Sequence, residues 1–531
     1  MAQNNNKNKL ELTWIGKYDE RKPLEPRILI ENKEYSYGHP ETGVLPNGKP
    51  WNGNMLIHGD NLLALKALEQ DFAGQIKCIY IDPPYNTGNA FEHYDDCIEH
   101  SIWLSLMQSR LKLLRMLLAD DGFIFVQIDN EEMAYLKVLL DEIFGRRNFI
   151  NDIIWKRKGG SVNPKNKLNN NTDYILCYSK SDKAIIYPIY TLEDTETQEY
   201  IEKRFRYVDT NGRRFRLSPI ISPTYSPSLV YEYKGYQPPK NGWSLSRQKM
   251  EEFEKEGRLY MPKDKTQRIQ RKQYLDEYKG RPIGNLWTDI NVINPMSVER
   301  LDFVGQKPET ILERILNLST KEGDLVLDSF LGTGTTAAVA QKMGRRYIGI
   351  ELGNHAYTHC VPRLKMVTDG TDQGGISKAQ NWEGGSGFKF YELAPSLLKE
   401  DKFGNLVINK EYNADMLAAA MAKQEGYTYQ PSQEVYWKQG FGSETDYIYT
   451  TTQFMTVEAL SAIHETMAED ETLLICCTSF QRECKQAFNN ISIKKIPQML
   501  LGRCEFGKDD YSLNIISAPE VESDEDAEEM E

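Results

Sequence analysis

The sequence predicts an α/β protein built on an open, mostly parallel sheet. Between residues 62 and 157, short apolar runs alternate with longer amphipathic stretches, and the same alternation returns between residues 308 and 352. Short continuous apolar runs are typical of strands buried in a parallel sheet, and the longer stretches have the spacing of helices. Strands that alternate with helices in this way favour an α/β fold.

The first region predicts four elements in order. The run "IKCIYI" predicts a buried strand, and "WLSLMQSRLKLLRMLLADDG" predicts a helix closed by Gly122. Next, "FIFVQID" predicts a strand, and "EEMAYLKVLLDEIFG" predicts a helix closed by Gly145. Glycine is expected just after a helix, because the chain commonly ends there in a left-handed conformation.

The second region repeats the pattern. A helix in "PETILERILNLSTKEG" leads to the strand "DLVLDSF", a glycine- and threonine-containing loop, another helix and the strand "YIGIEL". Further along, "ADMLAAAMAKQEG" and "TVEALSAIHETMAED" predict helices and "TLLICCTSF" predicts a strand. We therefore expect a final α+β domain beyond the sheet.

Length and composition restrict the class of protein. A chain of 531 residues is long enough for two to four domains. Its polar first residues and the absence of 18 uninterrupted apolar residues predict a cytoplasmic protein with no membrane segment. The eight cysteines lack the C-x-x-C pairs of a zinc site, so we expect reduced, buried thiols.

Charge is distributed unevenly along the chain. The net charge is −13, yet residues 153–290 contain 26 Lys and Arg against 17 Asp and Glu, a balance of 26 − 17 = +9. The remainder carries −13 − 9 = −22, partly in the tail "EVESDEDAEEME" with its eight carboxylates, which we expect to be disordered. A basic segment of this kind favours an anionic partner such as nucleic acid.

Two prolines end the first strand abruptly. In "IDPPYNTGN" the chain leaves the sheet at Asp82, because Pro83 and Pro84 cannot donate to a strand ladder. The corner presents a carboxylate, a backbone carbonyl and the ring of Tyr85 together. An ordinary Pro-Pro turn capped by Asp82 is the alternative reading of these residues alone.

The loop of the second region indicates a nucleotide-like ligand. In "DLVLDSFLGTGTT", Gly332 and Gly334 allow the backbone to approach a ligand at the carboxyl end of a strand. The alternative is a tight strand-to-helix turn. No lysine follows to bind a phosphate, and Glu351 ends the next strand 19 positions after Gly332, where an acid can hold a ribose. An adenosine without phosphates fits these residues, so we expect S-adenosylmethionine as the cofactor and no metal.

The two motifs suggest methyl transfer to an exocyclic amine of a nucleobase. The nitrogen lone pair of such an amine is delocalised into the ring, and acceptors for both N–H groups favour the pyramidal form. Asp82 and the Pro83 carbonyl can supply these acceptors, while Tyr85 offers a stacking surface for an extruded base.

These residues resemble the β-type amino-group DNA methyltransferases, in which the catalytic motif precedes the cofactor loop. The resemblance is closest to the modification (Mod) subunit of type III restriction-modification systems. It rests on segments such as "LIHGDNLLALKAL", "DPPYNTGNAFEHYDD", "GQKPETILERIL" and "LDSFLGTGTT" and covers most of the chain outside the basic segment. It implies a Rossmann-like methyltransferase sheet with permuted motif order, and it favours adenine N6 because the motif begins with Asp.

The resemblance implies particular roles. It assigns catalysis to the motif Asp82, Pro83, Pro84 and Tyr85. Asp60 would contact the adenine of the cofactor, and further residues would line or adjoin its pocket: Lys307, Pro308, Asp328, Phe330, Gly332, Gly334, Thr335 and Glu351. Asp60 could instead only cap the following helix, and the segment from Lys307 to Glu309 could only begin one.

The resemblance also implies a domain plan. Residues 1–50 form an N-terminal arm, 51–158 the catalytic half, 159–296 an inserted target-recognition domain and 297–367 the cofactor-binding half. Residues 368–387 form a glycine-rich linker, 388–518 a dimerisation and partner domain, and 519–531 the acidic tail. DNA contacts are expected at Trp155, Lys156, Arg157 and Lys158 of "IIWKRKGG".

The implied partners are double-stranded DNA, a second copy of the chain and a helicase-nuclease restriction subunit. Four alternatives remain open. The acceptor could be cytosine N4, or an RNA base or protein glutamine. The enzyme could act without a restriction partner. The chain could also be a non-catalytic recognition subunit that directs a nuclease.

Overall fold

The computed structural model describes residues 11–18, 23–85, 100–157, 168–303, 305–501, 503–504 and 506. The chain divides into two compact units, one formed by Met1–Ile186 with Asn285–Glu531 and the other by Tyr187–Gly284. Within the described ranges, none of the helices is both long enough and apolar enough to span a bilayer. The acidic tail and Lys158 lie outside the described residues.

The first unit contains an eleven-stranded sheet. Its strands in chain order are β1 (Leu29–Glu31), β2 (Tyr37–Gly38), β3 (Asn54–His58), β4 (Ile76–Ile81), β5 (Leu118–Ile128), β6 (Phe149–Lys156), β7 (Thr172–Ser179), β8 (Leu286–Trp287), β9 (Leu325–Asp328), β10 (Arg346–Glu351) and β11 (Gly387–Leu393). The order across the sheet is β1-β11-β3-β10-β9-β4-β5-β7-β6-β8, and β2 also pairs with β11.

Most of this sheet is parallel, as predicted. The six neighbours from β11 to β5 run in one direction, whereas β7 runs antiparallel between β5 and β6. At the centre, β4 of the first sequence region lies directly beside β9 of the second, with Leu327 opposite Ile79. The two regions therefore form one Rossmann-like sheet, with the basic segment between them in sequence.

Helices connect the strands and bury their apolar sides against them. They are α1 (Asn61–Phe72), α2 (His100–Leu117), α3 (Met133–Leu140), α4 (Glu309–Ser319), α5 (Thr335–Lys342) and α6 (Val361–Thr368). One π-helical turn, Asp141–Gly145, continues α3, and a second one, Ala356–Cys360, precedes α6. In α2 the buried residues Trp103, Met107, Leu111 and Leu114 recur every three or four positions, which explains why this segment is helical.

The predicted end of α2 is wrong by one turn. The helix ends at Leu117, where the carbonyls of Met116 and Leu117 accept the N–H groups of Gly74 and Gln75, and β5 begins at once. Gly122 therefore lies inside the strand, where a Cβ would come within 2.9 Å of the Ile76 carbonyl oxygen. It permits close approach of two strands rather than capping a helix. Gly145, with φ +90°, ends its helical segment as predicted.

The second unit has its own small sheet and core. Its four antiparallel strands, in the order Tyr207–Val208, Arg214–Pro219, Gln270–Tyr274 and Leu259–Tyr260, accompany the helices Thr195–Arg204 and Arg247–Lys255 and a pair of strands, Tyr190–Thr191 and Arg281–Pro282. The core contains Tyr233, Tyr236 and Trp243. This unit is narrower than the range 159–296 because β7 and β8 belong to the main sheet.

The C-terminal region of the first unit forms a five-stranded mixed sheet. Its strands are Thr428–Tyr429, Gly440–Phe441, Asp446–Met455, Thr472–Phe480 and Ile491–Lys495, of which the last three are parallel. The predicted helices are present as Ala414–Glu425 and Val457–His464, and the predicted strand is present as Thr472–Phe480. Two short hairpins complete the unit: Gly43–Val44 with Pro50–Trp51, and Leu398–Glu400 with Leu406–Ile408.

The segment treated as a linker, residues 368–387, packs against α6. Ile376 is buried, and the indole N–H of Trp382 donates to the Val367 carbonyl over 2.7 Å. The Ile376 N–H also donates to Glu309, over 3.0 Å. Despite its glycines, this segment is therefore a folded connection between α6 and β11.

Candidate active site

The Pro-Pro corner and the glycine loop lie at the same edge of the sheet. They follow β4 and β9, which are parallel neighbours, so the ends of both strands meet there. A cavity of about 230 Å³ opens between them. Among its lining residues are these predicted ones: Asp82, Pro83, Pro84, Tyr85, Arg157, Lys307, Asp328, Phe330, Gly332 and Thr335.

Asp82 is bound on both of its oxygens by residues of the chain itself. The Tyr85 hydroxyl donates to Oδ1 over 2.7 Å, and the Lys307 ammonium group pairs with Oδ2. The same ammonium group lies 5.3 Å from the centre of the Tyr85 ring. The acceptor predicted for a substrate amine is therefore preorganised, but it is occupied by two internal donors.

The corner is fixed in position by neighbours that sequence reasoning missed. Trp103, buried near the start of α2, donates its indole N–H to the Pro84 carbonyl over 2.7 Å. Burial, with the nearby Asp82 carboxylate as a second cause, holds the pKa of Tyr85 well above its usual value, so the ring keeps its hydroxyl proton. No motif in the sequence distinguishes Trp103 from an ordinary core tryptophan.

The glycine loop adopts backbone conformations that favour glycine. Gly332 and Gly334 have φ values of +60° and +80°, a left-handed region that other residues rarely adopt. A Cβ on Gly332 would meet no atom within 4 Å, so the space above this glycine is open. Before the loop, the Asp328 carboxylate accepts the Phe330 N–H over 2.9 Å and the Thr336 hydroxyl over 2.5 Å.

Asp328 is buried and titrates far from its ordinary range. Burial raises its pKa from 3.8 to about 7, and the neighbouring Asp82 and Glu351 carboxylates act in the same direction. Because the folded pKa is raised, the stability that this group contributes is fully present below about pH 4 and is lost as the pH rises through about 7.

Asp328→Asn is therefore expected to gain stability relative to wild type as the pH rises from 5 to 8. The size of this relative gain is about 3 kcal/mol, because the change from pH 5 to 8 crosses about two pKa units at about 1.4 kcal/mol each. Thermal unfolding of both proteins at the two pH values measures it. Thr336→Val keeps the carboxyl group but removes a hydroxyl that donates to it and lowers its pKa, so its stability should still depend on pH, with the loss moved to higher pH. An equal stability difference at pH 5 and pH 8 would contradict the raised pKa.

Glu351 and Asp60 support the site from outside the cavity lining. Glu351 ends β10, is buried, and accepts the N–H groups of Gly332 over 2.7 Å and Gly353 over 3.0 Å. Asp60 caps α1 by accepting the Leu62 and Leu63 N–H groups, and it pairs with buried Arg110 over 3.1 Å. The capping alternative for Asp60 is thus observed. Ligand contacts of these two acids, like that of Gly334, stay predictions.

The segment after Lys307 does more than begin a helix. Pro308 is the N-cap of α4, and Glu309 in the first turn is buried. Its carboxylate pairs with Lys342 of α5 and Arg363 of α6, each over 2.8 Å. Arg363 also donates to the Thr335 hydroxyl over 2.8 Å, so this buried cluster holds three helices at the base of the cavity and fixes the position of Lys307.

The residues predicted to contact DNA are separated by the structure. Trp155 requires correction, because its ring is buried and its indole N–H donates to the Ile290 carbonyl over 2.9 Å. Lys156 is exposed at the end of β6, and Arg157 lines the cavity. Lys158 lies outside the described residues.

Asp173 is a site residue that the sequence analysis missed. It lies near the start of β7, and since β7 runs antiparallel to β5, this end of the strand lies at the edge where the parallel strands finish. Its side chain is buried, forms an ion pair with Arg157 over 3.3 Å and approaches the Tyr85 hydroxyl. An acid directly before the apolar run "YILCYS" was the available signal.

The comparisons with known proteins identify the family of the chain. The family model N6_N4_Mtase, described as DNA methylase, matches residues 76–361. The probable type III restriction-modification enzyme HindVI Mod subunit from Haemophilus influenzae is 37% identical over 411 residues, 64% of this chain and 54% of that protein. This chain thus spans about half the length of that relative.

Two further relatives extend the comparison. Type II methyltransferase M.EcaI from Enterobacter cloacae is 34% identical over 352 residues, 65% of this chain and 75% of that protein. The type III restriction-modification enzyme EcoP15I Mod subunit from Escherichia coli is 24% identical over 498 residues, 77% of this chain and 75% of that protein. The chain belongs to the N6/N4 DNA methylase family.

Proposed function

We propose that the protein transfers a methyl group from S-adenosylmethionine to adenine N6 in a short DNA sequence, as the modification and recognition subunit of a type III restriction-modification system. The observation that carries this proposal is the shared cavity. Asp82, the acceptor expected for the amine, and the glycine loop both line it, although they come from sequence regions about 250 positions apart.

The residues of the cavity fit the proposed cofactor. Its sulfonium group is a cation, and the Asp82 and Asp328 carboxylates line the cavity beside the ring of Phe330. The open space above Gly332 lets a ligand approach the backbone closely. Phe330, Gly332, Thr335 and Lys307 would hold the cofactor, which supplies an electrophilic methyl group when bound.

The chain's own part in the reaction is to position the amine. Asp82 Oδ1 and the Pro83 carbonyl oxygen accept the two N–H groups, which directs the nitrogen lone pair away from both acceptors. When bound, the cofactor would supply the methyl group and would leave as a neutral thioether, and Asp82 Oδ1 would take up the proton that the amine gives up and pass it to solvent. Alignment of an already reactive methyl group does most of the work. Stacking on Tyr85, worth about 1–3 kcal/mol, offsets part of the cost of extruding the base.

DNA and a restriction subunit are proposed as partners from three observations. The family is described as DNA methylase, and two of the relatives are named as type III Mod subunits. Residues 153–290 carry a net positive charge of 26 − 17 = +9, and Lys and Arg side chains are the groups that neutralise phosphates. We assign dimerisation and docking of the restriction subunit to the C-terminal region, which has buried clusters of its own.

The second candidate is a methyltransferase that acts outside a type III system, as the name of the M.EcaI relative indicates. Long-read sequencing of DNA from cells that express the chain alone would report the modified base and the recognition sequence. N6-methyladenine in one short motif is expected. N4-methylcytosine would replace adenine in the proposal. Co-purification with a co-expressed helicase-nuclease subunit separates the type III role from the second candidate.

A purified reaction tests the substrate class. The full chain is incubated with methyl-labelled S-adenosylmethionine and, in separate reactions, duplex DNA, RNA and protein. Label in duplex DNA is expected. Label in RNA or protein alone would overturn the DNA assignment, and DNA binding with no label in any polymer would support a non-catalytic recognition subunit.

A further inference from the structure

Each Asp82 oxygen already has an internal hydrogen-bond donor where the substrate amine is expected to bind. In the structure its Oδ1 accepts the Tyr85 hydroxyl and its Oδ2 pairs with Lys307. An amine that binds Oδ1 competes with the Tyr85 hydroxyl for this oxygen. Where the amine displaces the hydroxyl and leaves it without a partner, the cost is up to about 1–3 kcal/mol and opposes substrate binding.

A second acceptor for this hydroxyl already exists. Asp173 Oδ2 lies 3.5 Å from the Tyr85 hydroxyl oxygen, which therefore lies between two carboxylates. A small shift of the hydroxyl toward Asp173 gives it a full hydrogen bond and frees Asp82 Oδ1. Asp173 is fully buried, so water does not compete for it as it would at the surface.

Asp173 is itself held by an oriented network. The Tyr80 hydroxyl donates to the side-chain carbonyl of Gln127 over 2.6 Å, which directs the Gln127 amide N–H groups toward Asp173 Oδ2, 3.0 Å away. On the other side, Arg157 Nε lies 3.3 Å from Asp173 Oδ1. Burial raises the pKa of Asp173, whereas the positive charges of Lys307 and Arg157 lower it and favour the carboxylate form.

We infer that Asp173 is a positioning residue that accepts the Tyr85 hydroxyl when the substrate amine occupies Asp82. The inference rests on the proposed function, since it concerns the same amine. The inference gives Arg157 an indirect role as well, because its guanidinium group lies 3.3 Å from Asp173 Oδ1 and its charge favours the carboxylate form. If Asp173 had only a structural role, it would do no more than accept the Gln127 amide N–H and pair with Arg157.

A double-mutant cycle with Tyr85→Phe separates these roles. Phenylalanine keeps the ring but has no hydroxyl to transfer. Asp173→Ala is expected to lower kcat/KM on DNA roughly 5- to 100-fold in the wild-type background, corresponding to the lost partner. In the Tyr85→Phe background the same substitution should change kcat/KM less than about twofold. Asp173→Asn, whose amide oxygen still accepts a hydroxyl, should recover part of the loss and provides a variant with little change in shape.

Asp129→Ala is the matched control. Asp129 is another buried acid at this edge. It accepts the Glu131 N–H over 3.0 Å and interacts through its charge with Asp173 and Arg157, but no described hydrogen bond joins it to the Tyr85 hydroxyl. Its effect should be equal in both backgrounds. Equal losses from Asp173→Ala in both backgrounds would overturn the positioning role alone. Absence of methyl transfer by wild type would overturn the proposed function, and the role of Asp173 with it.

Discussion

Asp82→Ala is expected to lower kcat for methyl transfer by at least about 10²–10³-fold, the usual effect of removing a preorganised hydrogen-bonding group at a reacting centre. The alanine variant keeps the strand and the Pro-Pro corner, because Trp103 holds the Pro84 carbonyl independently of Asp82. DNA affinity should remain near the wild-type value. Initial rates with labelled cofactor and a DNA-binding titration on the same preparation measure both quantities.

Asp121→Ala provides the control for Asp82→Ala. Asp121 is also an acid paired with a lysine, Lys77 at 2.6 Å, but it lies in the exposed first part of β5 and away from the cavity. Its substitution should leave the methylation rate within about twofold, since surface ion pairs contribute little. An unchanged rate in Asp82→Ala would remove this carboxylate from the mechanism.

Glu309→Gln is expected to reduce the free energy of unfolding by about 3–5 kcal/mol, because it removes one partner from a buried set of charges. Glutamine has nearly the same shape, so packing is preserved. What is lost is the negative charge between Lys342 and Arg363, both of which are buried. Lys342 would retain Asp372, at 2.8 Å, while Arg363 would lose its described carboxylate partner. Chemical denaturation measures the change.

The same substitution one turn further along α4 is the control for Glu309→Gln. Glu313 is half-buried and accepts the Gln380 side-chain amide over 2.7 Å, with no lysine or arginine among its described partners. Glu313→Gln should cost less than about 1 kcal/mol. Equal effects of the two substitutions would show that the buried charges at Glu309 do not support the base of the cavity.

The sequence predicts correctly those features that depend only on a residue and its neighbours along the chain. The strands Ile76–Ile81 and Thr472–Phe480 have the predicted bounds, and Gly145, with φ +90°, ends its helical segment as predicted. The shared edge of the Pro-Pro corner and the glycine loop follows from a general property of parallel sheets, whose ligand-binding corners lie at the carboxyl ends of the strands, whereas the direct pairing of β4 with β9 comes from the structure. The family resemblance added which acid and which loop to place there.

The sequence did not reveal contacts between residues that are far apart in the chain. Trp103, Asp173 and the Glu309 cluster act through partners on other elements, and neither spacing nor composition records such partners. Gly122 was placed at a helix end because a capping glycine and a glycine needed for close approach of two strands look the same in sequence. A DNA contact is expected of Trp155 only because basic residues come directly after it, whereas its apolar ring is buried in the core.

The strand order also has a consequence for synthesis of the chain on the ribosome. β3 and β4 are made early but are not neighbours, since β10 and β9 lie between them in the sheet. The middle of the sheet therefore remains incomplete until residue 351 has emerged, and the apolar edges of the early strands stay exposed for that time. Folding through such distant pairings is slow and open to aggregation, so nascent chains shorter than about 350 residues are expected to depend on chaperones.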